Sequence, residues 1–167
     1  MTLTTTQGGN VSLTIYQAME THVFYLDEDS ILREHVFRDD DDVGFSGSLS
    51  AQNITPANDT QLASYWPFVA YQNPDKTFSE AQYNCTNNPT NCWSSENLQI
   101  AGPGPSAPLA MVPAGRNMNG TLLYYQREDG ELDNTIWRKN TNAWTSSTST
   151  LSYTLDPLTH IYQEDQP

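Results

Sequence analysis

Three stretches of the sequence lie on one another without a gap: VFYLDEDSILREHVFR (Val23–Arg38), VAYQNPDKTFSEAQYN (Val69–Asn84) and LYYQREDGELDNTIWR (Leu123–Arg138). The third column holds Tyr25, Tyr71 and Tyr125, and the seventh holds Asp29, Asp75 and Asp129, followed by Ser30, Lys76 and Gly130. Leu32, Phe78 and Leu132 fill the tenth column, and Phe37, Tyr83 and Trp137 the fifteenth. Apolar and aromatic residues on both sides of an Asp-X pair read as strand, tight turn, strand, which is a β-hairpin. The turns are expected at Leu26–Ile31, Gln72–Phe78 and Gln126–Leu132. With a two-residue turn, Tyr25 faces Glu34 across the first hairpin and Tyr71 faces Glu80 across the second.

Outward from each hairpin the pattern continues. A second aromatic follows at similar distance (Phe45, Trp93, Trp144), then a small hydroxyl residue (Ser46, Ser94, Thr145) and another strand-like run. Ahead of the hairpins lie the apolar runs Val11–Tyr16, Leu62–Tyr65 and Leu109–Val112. Four antiparallel strands per unit result, in units spanning about 11–58, 59–105 and 106–149, with a partial unit at 150–167 in which Tyr162 takes the tyrosine column. The tyrosine columns recur at the spacing of propeller blades. The expected fold class is therefore all-β: about three β-propeller blades and part of a fourth. Because a closed ring needs about four to eight blades, the chain is expected to be a fragment or to be completed by another copy of itself. No stretch sustains a 3.6-residue apolar period over three turns, so helix is not expected.

Composition narrows the partners. The 167 residues carry a net charge of −13, which disfavours nucleic acid and anionic membrane surfaces alike. Aromatics reach 11%, too many for a disordered chain. No apolar run approaches the ~20 residues that span a bilayer, and the start, Met1 to Gln7, has neither the basic nor the apolar region of a signal peptide. Five sequons stand at Asn10, Asn53, Asn58, Asn84 and Asn119, against roughly three expected by chance from the motif. Cys85 and Cys92 are the only cysteines, set in a loop-like stretch of Asn, Thr and Pro. A bridge between them would stabilise by roughly 2–3 kcal/mol, and a zinc site would need further ligands that the neighbourhood lacks. A secreted glycoprotein with a disulfide is the expectation.

At its hairpins the sequence resembles the fungal fucose-specific lectins, six-bladed β-propellers of the orange-peel mushroom lectin type, whose repeat runs approximately I-R-V-Y-Y-Q-D-x-D-G-x-I-R-E-x-x-W. Leu123-Tyr-Tyr-Gln-Arg-Glu-Asp-Gly130, ending at Trp137, is the nearest match, and the likeness runs from Val11 to Tyr162. The resemblance implies sugar sites between blades. In each, an Arg just before the hairpin and a Glu twelve residues later bond the sugar hydroxyls, and an aromatic packs on its apolar face. The Glu is kept as Glu34 and Glu80 but becomes Asn134 in the third unit; the Arg is replaced by His22, Phe68, Leu122 and, in the partial unit, Thr159. His22 and Glu34 are thus the surviving polar pair, and His22 would regain charge below about pH 6.5, where an unperturbed imidazole titrates.

Carbohydrate-binding candidates are therefore His22, Glu34, Glu80, Trp93 and Trp144. Aromatics at the last two positions, and at Phe45, also serve to pack blade on blade. Asp39–Asp42 lacks the spaced ligand pattern of a calcium loop and reads as a solvated turn. Gly102-Pro-Gly-Pro105 reads as a rigid turn, without the Lys and helix of a phosphate cradle. Histidines 22, 35 and 160 have no Ser or Cys in a nucleophile motif, and no carboxylate pair stands out by spacing, so no enzyme, metal or cofactor is expected. The expected function is weak carbohydrate binding in inter-blade clefts; the alternative is an extracellular scaffold whose sugar sites are lost.

Overall fold

The structure, a computed structural model, describes residues 11–16, 20–38, 43–85, 91–104, 106–114, 119–146 and 151–154. Asn10, Asp39–Asp42, Pro105, Thr159, His160 and Tyr162 lie outside them.

The described chain forms three antiparallel sheets in sequence order. The first is β1 (Val11–Tyr16), β2 (Glu20–Leu26), β3 (Leu32–Arg38) and β4 (Phe45–Ser46), each paired with the next. The second is β5 (Ala63–Tyr65), β6 (Phe68–Gln72), β7 (Thr77–Tyr83) and β8 (Trp93–Ala101). The third is β9 (Leu109–Ala114), β10 (Gly120–Gln126), β11 (Glu131–Arg138) and β12 (Ala143–Ser146), joined by β13 (Leu151–Thr154), which also pairs with β11. The only helical turn among the described residues is a 3-10 stretch at Ser48–Gln52. The first two sheets are the four-stranded units read from the repeat, while the third takes in β13 from the stretch read as the start of a fourth unit; the first strands of successive blades, β1, β5 and β9, lie side by side.

The three hairpins share one turn, and it is not the two-residue turn expected from the Asp-X pair. In the first, the Asp27 N–H donates to Ile31 O and the Ser30 N–H to Asp27 O. The same bonds recur at Asn73–Thr77 and Lys76–Asn73, and at Arg127–Glu131 and Gly130–Arg127. Ser30 (φ 58°), Lys76 (φ 69°) and Gly130 (φ 86°) occupy the left-handed region. This is the three-residue loop made by a β-turn followed by one left-handed bulge residue. The Asp side chains support it: Asp75 Oδ1 accepts the Thr77 N–H, and Asp129 Oδ1 accepts the Glu131 N–H. The extra residue shifts the register by one. Glu34 faces Phe24 rather than Tyr25, and Glu80 faces Ala70 rather than Tyr71. Tyr25 and Tyr71 face Arg33 and Ser79 instead.

Packing takes place between blades. One apolar cluster joins Phe24, Leu26 and Leu32 of the first blade to Val69, Tyr71, Ala81 and Trp93 of the second, with Leu49 beneath them. The other joins Phe68, Ala70 and Phe78 of the second blade to Met111, Leu123 and Tyr125 of the third. Every residue of β6 is buried, because the middle blade is covered on both faces. Fully burying side chains such as Phe24, Phe68 and Phe78 stabilises by roughly 1.5–3 kcal/mol each. Cys85 and Cys92 form a disulfide that closes the β7–β8 connection, and the Asn84 N–H donates to Cys92 O across its neck.

Candidate functional site

The site residues come from opposite faces of neighbouring blades. His22 on β2 and Glu34 on β3 stand diagonally on one face of the first blade, His22 opposite Val36 and Glu34 opposite Phe24. His22 Nδ1 lies 2.8 Å from Glu34 Oε1, with both side chains buried. A carboxylate only accepts, so Nδ1 carries the proton. The other carboxylate oxygen, Oε2, accepts the Leu49 N–H at 2.9 Å from the start of the 3-10 turn. That turn is held to β3 by the Gly47 N–H on Glu34 O and by the Ser50 hydroxyl, which accepts the Glu34 N–H. His22 Nε2 is buried, without a hydrogen-bond partner among the described residues, and Glu20 Oε2 is 3.6 Å away.

The opposing wall comes from the second blade. Trp66, in the turn between β5 and β6, packs on the His22 imidazole with ring centroids 4.2 Å apart, and Tyr83 backs Trp66 at 5.0 Å. Together these groups floor a cleft of about 360 Å³, rimmed by Glu20, Arg38, Phe45, Ser46, Gly47 and Ser48. Arg38 Nε donates to Glu20 Oε1 at 2.8 Å, and its guanidinium lies over the Phe45 ring. A volume of this order with aromatic walls and a few convergent polar groups is that of a small-molecule site.

The second cleft is built on the same plan and is filled. Phe68 stands where His22 stands in the first blade, and it packs edge-on against Trp137 at 4.9 Å and Trp144 at 5.9 Å from the third. Glu80 is buried beneath, and its Oε2 has no hydrogen-bond partner among the described residues. Burial pushes the Glu80 carboxyl up to about 7; the nearby Trp144 indole offsets this in part, and the Glu96 carboxylate adds to it. Glu96 is the cross-strand partner of Glu80 on β8. In the third unit Leu122 is half-buried and Asn134 buried.

Among the sequence candidates, then, the structure brings His22 and Glu34 into hydrogen-bond contact and places Glu80 in a buried position near Trp144 and Glu96. Trp93 is 3% exposed; its rings meet Phe24, Trp66 and Tyr83, and its indole N–H donates to Ser48 Oγ, so it offers no face to a ligand. Trp144 is engaged with Phe68. Sequence reasoning missed Trp66, Tyr83, Glu20 and Arg38. The repeat alignment holds Tyr83 and Arg38 in its last two columns, and an aromatic pair before a proline, Tyr65-Trp66-Pro67, marks the turn that delivers Trp66.

No protein-family model matches the sequence, and no curated protein matches it at significant similarity. Solved structures do. AofleA from Arthrobotrys oligospora superposes with a TM-score of 0.70 at 18% identity, covering 86% of this chain and 43% of its own. The Aleuria aurantia fungal lectin, described as a six-bladed β-propeller with a novel fucose recognition mode, gives 0.67 at 16% identity, covering 87% and 47%. A fucose lectin from Kordia zhangzhouensis, solved with methyl-fucoside, gives 0.58 at 14% identity, covering 84% of this chain and 99% of its own. The chain spans less than half the length of AofleA and of the Aleuria aurantia lectin. Its described residues form three blades of the β-propeller fold seen in the Aleuria aurantia lectin.

Proposed function

We propose that this chain is part of a secreted, N-glycosylated, lectin-like propeller that binds carbohydrate weakly, with the cleft between the first two blades as its main site. The observation that carries this reading is that the first cleft combines open volume, a buried acid held by a histidine and a backbone N–H, and aromatic walls. Such a set suits hydroxyl groups on one side and C–H faces on the other. Further blades, from another stretch of chain or another copy, would complete the ring.

The site is weak for a physical reason. The imidazole at position 22 already commits Nδ1 to Glu34 and buries Nε2, so it supplies none of the charge-assisted bonds an arginine gives. Such bonds are worth roughly 1.5–3 kcal/mol, whereas a millimolar constant is only about −4.1 kcal/mol in total. Free fucose is therefore expected to bind no tighter than millimolar at neutral pH, and Trp66→Ala to abolish what binding there is. A micromolar constant in titration calorimetry would show that the missing arginine does not limit affinity.

Secretion and glycosylation are supported by the disulfide and by the exposure of Asn53, Asn58 and Asn119. Intact-mass measurement of protein from a eukaryotic secretion host should show glycans on those three; bare polypeptide would remove this part of the reading. A scaffold that has lost its sugar sites is the second reading, favoured by Phe68, which fills the second cleft. A glycan array on deglycosylated protein separates the two, since the scaffold binds nothing.

A further inference from the structure

We propose that Arg38 is the charged donor that orients the sugar in the first cleft, in place of the arginine absent from position 22, and that it selects a neutral sugar presenting two vicinal hydroxyls. This inference rests on the carbohydrate-binding reading above.

Arg38 ends β3 opposite Glu20 and lines the same cleft as His22, Glu34 and Trp66. Its Nε is held by Glu20 Oε1, and the Phe45 ring lies against its guanidinium at 4.8 Å. One nitrogen and one face are thereby fixed, while neither Nη nitrogen has a hydrogen-bond partner among the described residues. A guanidinium so held presents a planar pair of N–H donors, which matches two adjacent oxygen acceptors. His22 offers no such pair, with Nδ1 committed and Nε2 buried.

Three ligand groups fit a planar fork: a carboxylate, a phosphate and a vicinal diol. Charge decides among them. Glu20 and Glu34 line the same cleft and the chain carries a net charge of −13, so the site repels a uronate or a phosphate and admits a neutral diol.

The strand-end position recurs in the third blade, where Arg138 ends β11 opposite Gly120 as Arg38 ends β3 opposite Glu20. The hollow of about 450 Å³ beside it is lined by Asn119, Lys139 and Asn140 and by neither Leu122 nor Asn134, so the assignment is made for the first cleft alone. The middle unit, whose cleft is closed by Phe68, has Asn84 in this column.

Ligand-observed NMR titration with methyl α-fucoside tests the proposal. Arg38→Met should weaken binding at least tenfold, and Arg38→Lys should restore only part of it, because an ammonium lacks the fork. A deoxy analogue lacking one of the two bonded hydroxyls should weaken the wild type by a similar factor and R38M not at all, a coupling that a purely structural role of Arg38 would not produce. Unchanged binding in R38M, or no such coupling for any deoxy analogue, overturns the proposal and leaves the carbohydrate reading standing. A methyl glucuronide that binds more tightly than the fucoside overturns the assigned ligand class. Failure of the wild-type protein to bind any sugar overturns both readings.

Discussion

Glu80→Gln is expected to stabilise the protein by about 3 kcal/mol at pH 8 and to leave its stability nearly unchanged at pH 4. Glu80 is buried between the second and third blades, and burial raises its carboxyl from the ordinary value of 4.5 to about 7. Below pH 4.5 both folded and unfolded chains hold the proton, and the residue contributes no pH dependence. As pH rises past 4.5 the unfolded chain releases the proton while the folded chain keeps it, so stability falls. The loss levels off above about pH 7, where the folded state ionises too. Glutamine keeps the shape and cannot ionise. The charged and titratable groups around Glu80 are Glu96 on the cross-strand position and Tyr71 on the adjacent strand, and neither offers it a cation. Chemical denaturation of wild type and E80Q from pH 4 to pH 9 reads the effect directly. Parallel curves for the two proteins would mean that Glu80 is not the acid that burial makes it.

Gly47→Ala should cost about 3 kcal/mol, the scale of leaving a buried charge without its partners, and should abolish sugar binding in the first cleft. The backbone at Gly47 has φ −74° and ψ 166°, a conformation any residue adopts, so no strain of the main chain enters. The obstacle is space. A Cβ at this position would overlap the Cγ, Cδ and Oε2 atoms of Glu34. To make room the Glu34 side chain must leave both the Leu49 N–H and the His22 imidazole, its hydrogen-bond partners in the cleft floor. His22 would then lose the partner that fixes its ring against Trp66. Urea denaturation and a fucoside titration on G47A provide the two readouts. A variant as stable as wild type would show that the carboxylate relaxes within the cleft, and that the observed pairing is not what holds it.

Much of the fold was legible in the repeat. The apolar columns placed the strands, and the recurring Asp at the seventh column placed the turns, because both depend on residues only a few positions apart. The one-residue register error came from the same local chemistry: Ser30 and Lys76 adopt a left-handed conformation that only Gly130 announces in sequence. The site was legible by halves. His22 and Glu34 sit on one hairpin, twelve residues apart, and the repeat put them together. Trp66 belongs to another blade, 44 positions beyond His22, and no period within a unit points to it.

All-β four-stranded units, a polar or degenerate pair at fixed places in each, and Phe68 in the second unit where the first has His22 can all be read from the residues alone. These are properties of single hairpins, set by alternation and turn chemistry. Which of those places became a cleft depends on how the blades meet. Each cleft is made by two blades at once, so its volume depends on how side chains from separate repeats meet. Phe68 meets Trp137 and Trp144 and leaves Glu80 shut in. His22, a smaller ring paired with Glu34, packs under Trp66 and leaves open space beside Arg38 and Glu20.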